Sequence, residues 1–181
     1  MISLRSQVTQ KVLNFFFLNP DESLHVNGLS RRLELDKRNL VKKLRELELV
    51  GILKSEKKAN IRLFSLDRKF PLYKEYQRIV LKTVGIEERL RQIIRAVPGV
   101  NEAYIYGSYA DDKMDAHSDL DLLVIGGHDI RSFQEKITFL QHEINREINS
   151  VHIGEEEFKE KMGKKDPFLS GIFKRKLIRL A

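Results

Sequence analysis

Two short clusters in the second half of this sequence hold residues whose types and spacing could do chemistry. The first is Gly107-Ser108, directly after the apolar, β-branched and aromatic run 100–106. A glycine lets a phosphate approach the backbone, and a serine hydroxyl can donate to it. If Tyr109-Ala110 opens a helix, its first N–H groups are free donors as well. The second cluster is Asp119 and Asp121, inside the run S-D-L-D-L-L-V-I at 118–125. A strand repeats every two residues, so both carboxylates fall on one face and Leu120 and Leu122 on the other. Two like charges side by side raise each other's pKa, a conflict that a divalent cation removes. Mg²⁺ suits one or two carboxylates completed by substrate phosphate oxygens, and Mn²⁺ takes the same ligands. A phosphate cradle beside a carboxylate pair is equipment for nucleotidyl transfer. Gly107 and Ser108 are therefore the candidate nucleotide-binding residues, and Asp119 and Asp121 the candidate catalytic and metal-holding ones.

Other polar residues nearby have plainer readings. Asp111, Asp112 and Asp115 read as a solvated loop, with Lys113 placed to offset their charge. His117 reads as a surface-loop histidine, and His142 and His152 lie at no recognisable ligand spacing. Lys164 and Lys165 read as solvated. Tyr104, Tyr106 and Tyr109 flank the cluster, with helix packing the expected role of Tyr109.

Elements must hold these groups in place. Residues 100–106 and 118–125 read as two strands, and Glu147 to Ile153 as a third. Upstream, Leu4, Val8, Val12, Phe15 and Phe16 recur at helical spacing over residues 3–18, and Asn19-Pro20 closes that helix. A shorter helix is expected over 26–33. Asp36 is placed as the N-cap of a third, running to about residue 48, with Leu40, Leu44 and Leu47 as its buried stripe. Residues 50–54 and 61–66 read as strands joined by a polar, basic turn at 55–60. Residues 67–72 mark a boundary, and 73–97 return to helical spacing with a break at Gly85. The expected division is 1–66, a helical connector at 67–97, and a third segment at 98–181.

Composition narrows the class. The 181 residues hold 33 Lys and Arg against 26 Asp and Glu, a net charge of +7. Residues 1–95 hold 21 basic and 11 acidic side chains, whereas 96–181 hold 12 and 15. The two halves thus carry +10 and −3, which points to different partners for each. With no cysteine, a disulfide scaffold, a thiolate metal site and a cysteine nucleophile are excluded. No apolar run reaches the roughly 20 residues that span a bilayer, so no membrane partner and a cytoplasmic location are expected.

The first 66 residues resemble the winged helix-turn-helix family, on the pattern of residues 26–51 followed by a basic-tipped hairpin. The resemblance implies DNA binding, with the third helix in the major groove and the wing on flanking backbone. On that reading Lys37, Arg38, Asn39, Lys42 and Lys43 meet bases and phosphates, and Lys57 and Lys58 meet phosphates. Docking of protein is the alternative use of such a domain.

G-S-Y-A at 107–110, followed by S-D-L-D-L-L-V at 118–124, resembles the polymerase-beta-like nucleotidyltransferase superfamily, its minimal members above all. Residues 146–158 and 166–169 extend the likeness. It implies an α+β chain with a small mixed sheet flanked by helices, Ser108 on the triphosphate of an NTP, and Asp119 and Asp121 on Mg²⁺. Two departures stand out. The family's third carboxylate falls at Asn149, an amide that cannot be an anionic ligand, with Glu147 two residues earlier as the substitute. Asp111-Asp112 also stand where Arg-Gly is usual, placing negative charge near a triphosphate. Two functions follow: an enzyme moving an NMP, such as AMP, from an NTP to a hydroxyl, or an NTP-sensing DNA-binding transcriptional regulator with little turnover. A protein acceptor or partner and a homodimer through residues 73–97 are compatible with both.

Overall fold

A computed structural model describes residues 2–114 and 118–181, so Asp115 and His117 lie outside the described residues. The chain is α+β and divides into two compact units. One comprises residues 1–88 with 142–145, the other residues 89–141 with 146–181.

The first unit is built on three helices, α1 (Gln7–Leu18), α2 (Val26–Leu33) and α3 (Lys37–Val50). α1 starts later than residue 3 because Ser6 is its cap, accepting from the Thr9 N–H. Asp36 caps α3 through the Asn39 N–H at 3.0 Å. Leu40, Leu44 and Leu47 of α3 are buried with Phe15 and Phe16 of α1 and Leu29 and Leu33 of α2. α3 runs to Val50 and stops at Gly51, whose φ of 89° is a left-handed cap that glycine adopts freely.

That stop shifts the first of the following strands from its expected place at 50–54, while the second lies at 61–66 as expected. β2 is Leu53–Lys58 and β3 is Ile61–Leu66, paired antiparallel through Lys58↔Ile61. Residues 55–58 are therefore strand, and only Ala59-Asn60 turn, Ala59 with a φ of 52°. Lys57 and Lys58 end a strand rather than sit in an irregular turn, because β3 pairs with them through to the last residue. A two-residue strand, β1 (Leu24–His25), joins β3 on its other side, giving the order β1-β3-β2. Such a short segment shows no period in sequence. Glu48 of α3 pins the hairpin, accepting from Ser55 at 2.5 Å and from Arg62 Nη2 at 2.8 Å. These partners hold its carboxyl below the ordinary range, Ser55 most of all. α4 (Tyr73–Thr83) follows, then Val84-Gly85, then α5 (Ile86–Ala96).

The second unit holds a four-stranded mixed sheet in the order β6-β5-β4-β7. β4 (Val100–Tyr106) leads into the single turn α6 (Gly107–Ala110), and β5 is Leu120–Gly126. β6 (Ile148–Ile153) pairs parallel with β5 after α7 (Ile130–Ile144), while β4 pairs antiparallel with β5 and with β7 (Ile178–Arg179). α8 (Glu155–Gly163) and α9 (Pro167–Phe173) precede β7. Period two sorts the strands into faces. Tyr104, Leu123, Ile125 and Ile153 pack with Leu169 and Ile172 of α9 on one face. Ile105, Leu122 and Val124 point the other way and are fully buried.

Candidate active site

The register of the sheet builds the site. Tyr106 pairs with Asp121, and Asp121 with Asn149, so these three side chains stand in a row across β4, β5 and β6. They end the apolar face of Tyr104 and Leu123, at the edge where it opens. Asp119 lies one residue before β5, exposed, and two residues from Asp121 on the same side.

Gly107 closes the approach from β4. Its φ is 74°, and a methyl group at its Cα would run into Asp121 Oδ2 and Cγ. The backbone of the Gly-Ser turn is therefore in contact range of the carboxylate, with a shape that only glycine permits. Ser108 follows in α6, and Tyr109 after it is buried. The turn is tied off by the Asp111 N–H on the Gly107 carbonyl at 3.1 Å and the Lys113 N–H on the Ser108 carbonyl at 2.9 Å.

Electrostatics single out Asp121. Its pKa is raised, first because it is partly withdrawn from water and second because Asp119 is beside it. Tyr106 is raised too, by burial and by Asp121. Its ring meets Phe168 edge-on at 6.3 Å, which extends the apolar wall to the carboxylates. This is the residue chemistry that a small divalent cation suits, two adjacent carboxylates of which one is destabilised as an anion. Among the described residues, no group of three or more His, Asp or Glu is arranged to hold a metal.

The two alternatives for a third ligand separate. Asn149 joins the pair, its Nδ2 donating to Asp119 Oδ2 at 3.2 Å. Glu147 is exposed and lies just before β6, and its backbone carbonyl accepts from the Leu120 N–H at 3.0 Å. Lys113 is not the group paired with the acids after α6. Asp111 bonds Arg175, and Asp112 bonds Lys176 Nζ at 2.7 Å. The chain comes back to α6 because β7 lies beside β4, a pairing with no local signature.

Sequence reasoning also missed Arg146. It is 7% exposed, and its Nη1 donates to the Ser118 carbonyl at 2.5 Å, fixing the backbone that presents Asp119. A lone arginine after a helix has no pattern to flag it. His152 is used elsewhere: its Nδ1 is 2.7 Å from His128 Nε2, its Nε2 is 3.0 Å from Ser150 Oγ, and Phe133 packs edge-on against its ring. Lys164 pairs with Glu160.

The seven basic-face candidates lie in the first unit. Lys37, Arg38, Asn39 and Lys42 are exposed on α3, and Lys57 and Lys58 are exposed at the end of β2. Lys43 is half-buried and ion-paired to Glu46 at 2.6 Å.

Residues 88–168 match the family Polymerase beta, Nucleotidyltransferase, a stretch that includes Gly107, Ser108, Asp119 and Asp121. No curated protein matches the chain in sequence. Among solved structures, it is similar to a toxin-antitoxin structure with AMP-PNP, at 22% identity and a TM-score of 0.33. That match covers 36% of this chain and 56% of the other. A mutant of the toxin-antitoxin MntA-HpeT is similar at 15% identity and a TM-score of 0.40, over 53% of this chain and 73% of that one. A Sulfolobus solfataricus protein described as a nucleotidyltransferase matches at 19% identity and a TM-score of 0.29, over 41% and 68%. No helix among the described residues is long and apolar enough to cross a membrane.

Proposed function

We propose that this chain is a divalent-metal-dependent nucleotidyltransferase that moves an NMP, such as AMP, from an NTP to a hydroxyl acceptor. The observation that carries this reading is the Gly107 backbone set against the Asp121 carboxylate, with Asp119 two residues away. Gly107 lets the phosphates lie against the main chain, and Ser108 donates its hydroxyl to them. Asp119 and Asp121 hold the metal, with Asn149 orienting Asp119 through its amide. Mg²⁺ or Mn²⁺ held by these two carboxylates would supply positive charge to offset the phosphates, and the transfer itself would join the acceptor hydroxyl oxygen to the α-phosphorus with loss of pyrophosphate. Arg146 keeps the Asp119 segment in place. The test is transfer of label from an α-labelled NTP in lysate with Mg²⁺, comparing wild type with Asp119→Ala/Asp121→Ala. Labelling is expected to fall by at least 100-fold, an order taken from the loss of one well-placed electrostatic group. Equal labelling by both proteins overturns the reading.

A second reading is favoured by one observation, the amide at 149 in place of a carboxylate. Here the domain binds NTP with little turnover, and the first unit reads DNA as a winged helix, making the chain an NTP-sensing regulator. Lys37, Arg38, Asn39, Lys42, Lys57 and Lys58 form the basic surface, and Lys43 joins it once released from Glu46. If this holds, NTP shifts DNA affinity, and DNA shifts NTP affinity by the same factor. Measured affinities that ignore each other sink it.

A further inference from the structure

We propose that Arg175 and Lys176 set the nucleotide affinity of the site by neutralising Asp111 and Asp112 beside the Gly107-Ser108 turn. This rests on the transferase reading and names the residues that let a polyanionic substrate enter.

The problem they solve is local. Asp111 and Asp112 follow α6 directly and are bonded into it, Asp111 N–H to the Gly107 carbonyl and Asp112 N–H to the Tyr109 carbonyl. Together with Asp119 and Asp121, they place four carboxylates around one short turn. A nucleoside triphosphate brings several more negative charges to that turn. Metal held by Asp119 and Asp121 offsets those two, but Asp111 and Asp112 lie past the turn and need cations of their own.

Topology supplies those cations. β7 runs antiparallel to β4, with Ile105 opposite Ile178, so the start of β7 lies at the end where β4 becomes Gly107. Arg175 and Lys176 precede β7 there and reach consecutive acids 64 residues away in sequence. Their backbone is anchored on both sides. Arg175 N–H bonds the Ile172 carbonyl at 3.1 Å, Ile172 is buried, and β7 is paired into the sheet. The pair is thus held at the turn by a scaffold, without depending on the ion pairs themselves.

The two ion pairs differ in exposure. Lys176 and Asp112 are 51% and 50% exposed, so that pair stabilises the fold little, whereas Arg175 is 60% exposed and its partner Asp111 only 15%. Their consequence is for the field at the turn, which acts on any anion bound there and weakens with salt.

The experiment is isothermal titration of MgATP and MgGTP into the full chain. Wild type, Arg175→Ala/Lys176→Ala, the same variant with Asp111→Asn/Asp112→Asn added, and Arg175→Lys/Lys176→Arg are compared, with melting temperatures as a folding check. Lys176→Gln alone, at a pair exposed on both sides, serves if the double variant folds poorly. The expected result is about tenfold weaker binding for the double alanine variant, on the order of two removed charge compensations near the ligand. Adding the two asparagines restores it to within about twofold, and the Arg–Lys exchange retains wild-type affinity, because only neutralisation is required. Unchanged affinity in the alanine variant overturns the proposal, and so does failure of the asparagines to restore it. Wild type that binds neither nucleotide overturns the transferase reading and this inference with it. Wild type that binds and ignores the substitutions overturns this inference alone.

Discussion

Asp121 sits at the open end of an apolar face, next to a second carboxylate and under a glycine that cannot be enlarged. Its raised pKa means the folded chain binds a proton there more readily than the unfolded chain. The ionised form therefore lowers stability at neutral pH, and the penalty fades as pH falls. Asp121→Asn is expected to raise the melting temperature of the metal-free protein by about 1–3 °C at pH 7, with the gain vanishing in acid. Mg²⁺ is expected to raise the melting temperature of wild type and not of the variant. Thermal scans at two pH values, with and without Mg²⁺, check both statements. Asn149 is the complementary position, because its amide donates to Asp119 where a carboxylate would repel it. Asn149→Asp is expected to lower stability without metal and to tighten Mg²⁺ binding by about tenfold, the value of one added carboxylate at roughly 1.4 kcal/mol. Titration calorimetry with Mg²⁺ gives that number directly.

Glu48 joins helix and hairpin in the first unit by accepting from Ser55 and Arg62. Glu48→Ala removes the partner of both Ser55 and Arg62 and is expected to lower stability by about 1 kcal/mol at neutral pH, with the loss shrinking as pH falls below 4.5. Denaturant titration at pH 7 and pH 3.5 measures it. In the second unit, His128 and His152 form another coupled contact, on the loop after β5 and on β6. Both are pushed below 6.5, first by burial, and His152 further by His128, while Asp129 works the other way on His128. The unfolded chain takes up protons at about 6.5 and the folded pair resists them. Stability is thus complete above pH 6.5 and falls as pH drops below it. His152→Gln is expected to flatten the decline between pH 7 and 5, as read from denaturation midpoints. Elements with strong periods were legible without coordinates: α2, α3, β3, β4 and the β5 run all came from spacing. The misplaced β2 came from a competition that periodicity does not settle. Val50 can end a helix or start a strand, and only the left-handed geometry at Gly51 decides it.

At the scale of the whole chain, residues 1–95 carry +10 and residues 96–181 carry −3. On the proposed reading the two halves meet phosphate differently, the first through exposed ammonium and guanidinium groups and the second through a carboxylate pair suited to a cation. If α3 meets DNA, log affinity falls linearly with log salt, and each lost phosphate contact lowers the slope by about 0.9. Arg38→Ala/Lys42→Ala is expected to reduce the slope by nearly 2 and to weaken binding at low salt, as measured by fluorescence anisotropy from 50 to 300 mM salt. The candidate cluster could be read in sequence because Gly107 and Ser108, directly after β4, and Asp119 and Asp121, around the start of β5, lie close in the chain. Arg146, Arg175 and Lys176 could not, since their positions follow from strand order, which joins segments far apart in sequence. β2 adds a consequence of its own. It is the outermost strand of its sheet, so one row of its N–H and C=O groups is open to a strand from another molecule. Lys54, Lys57 and Lys58 charge that border and make edge-to-edge aggregation between copies repulsive. Neutralising them would expose the chain to self-association along with any loss of DNA contact. Reversal to glutamate keeps the repulsion, and is therefore the substitution that separates solubility from recognition.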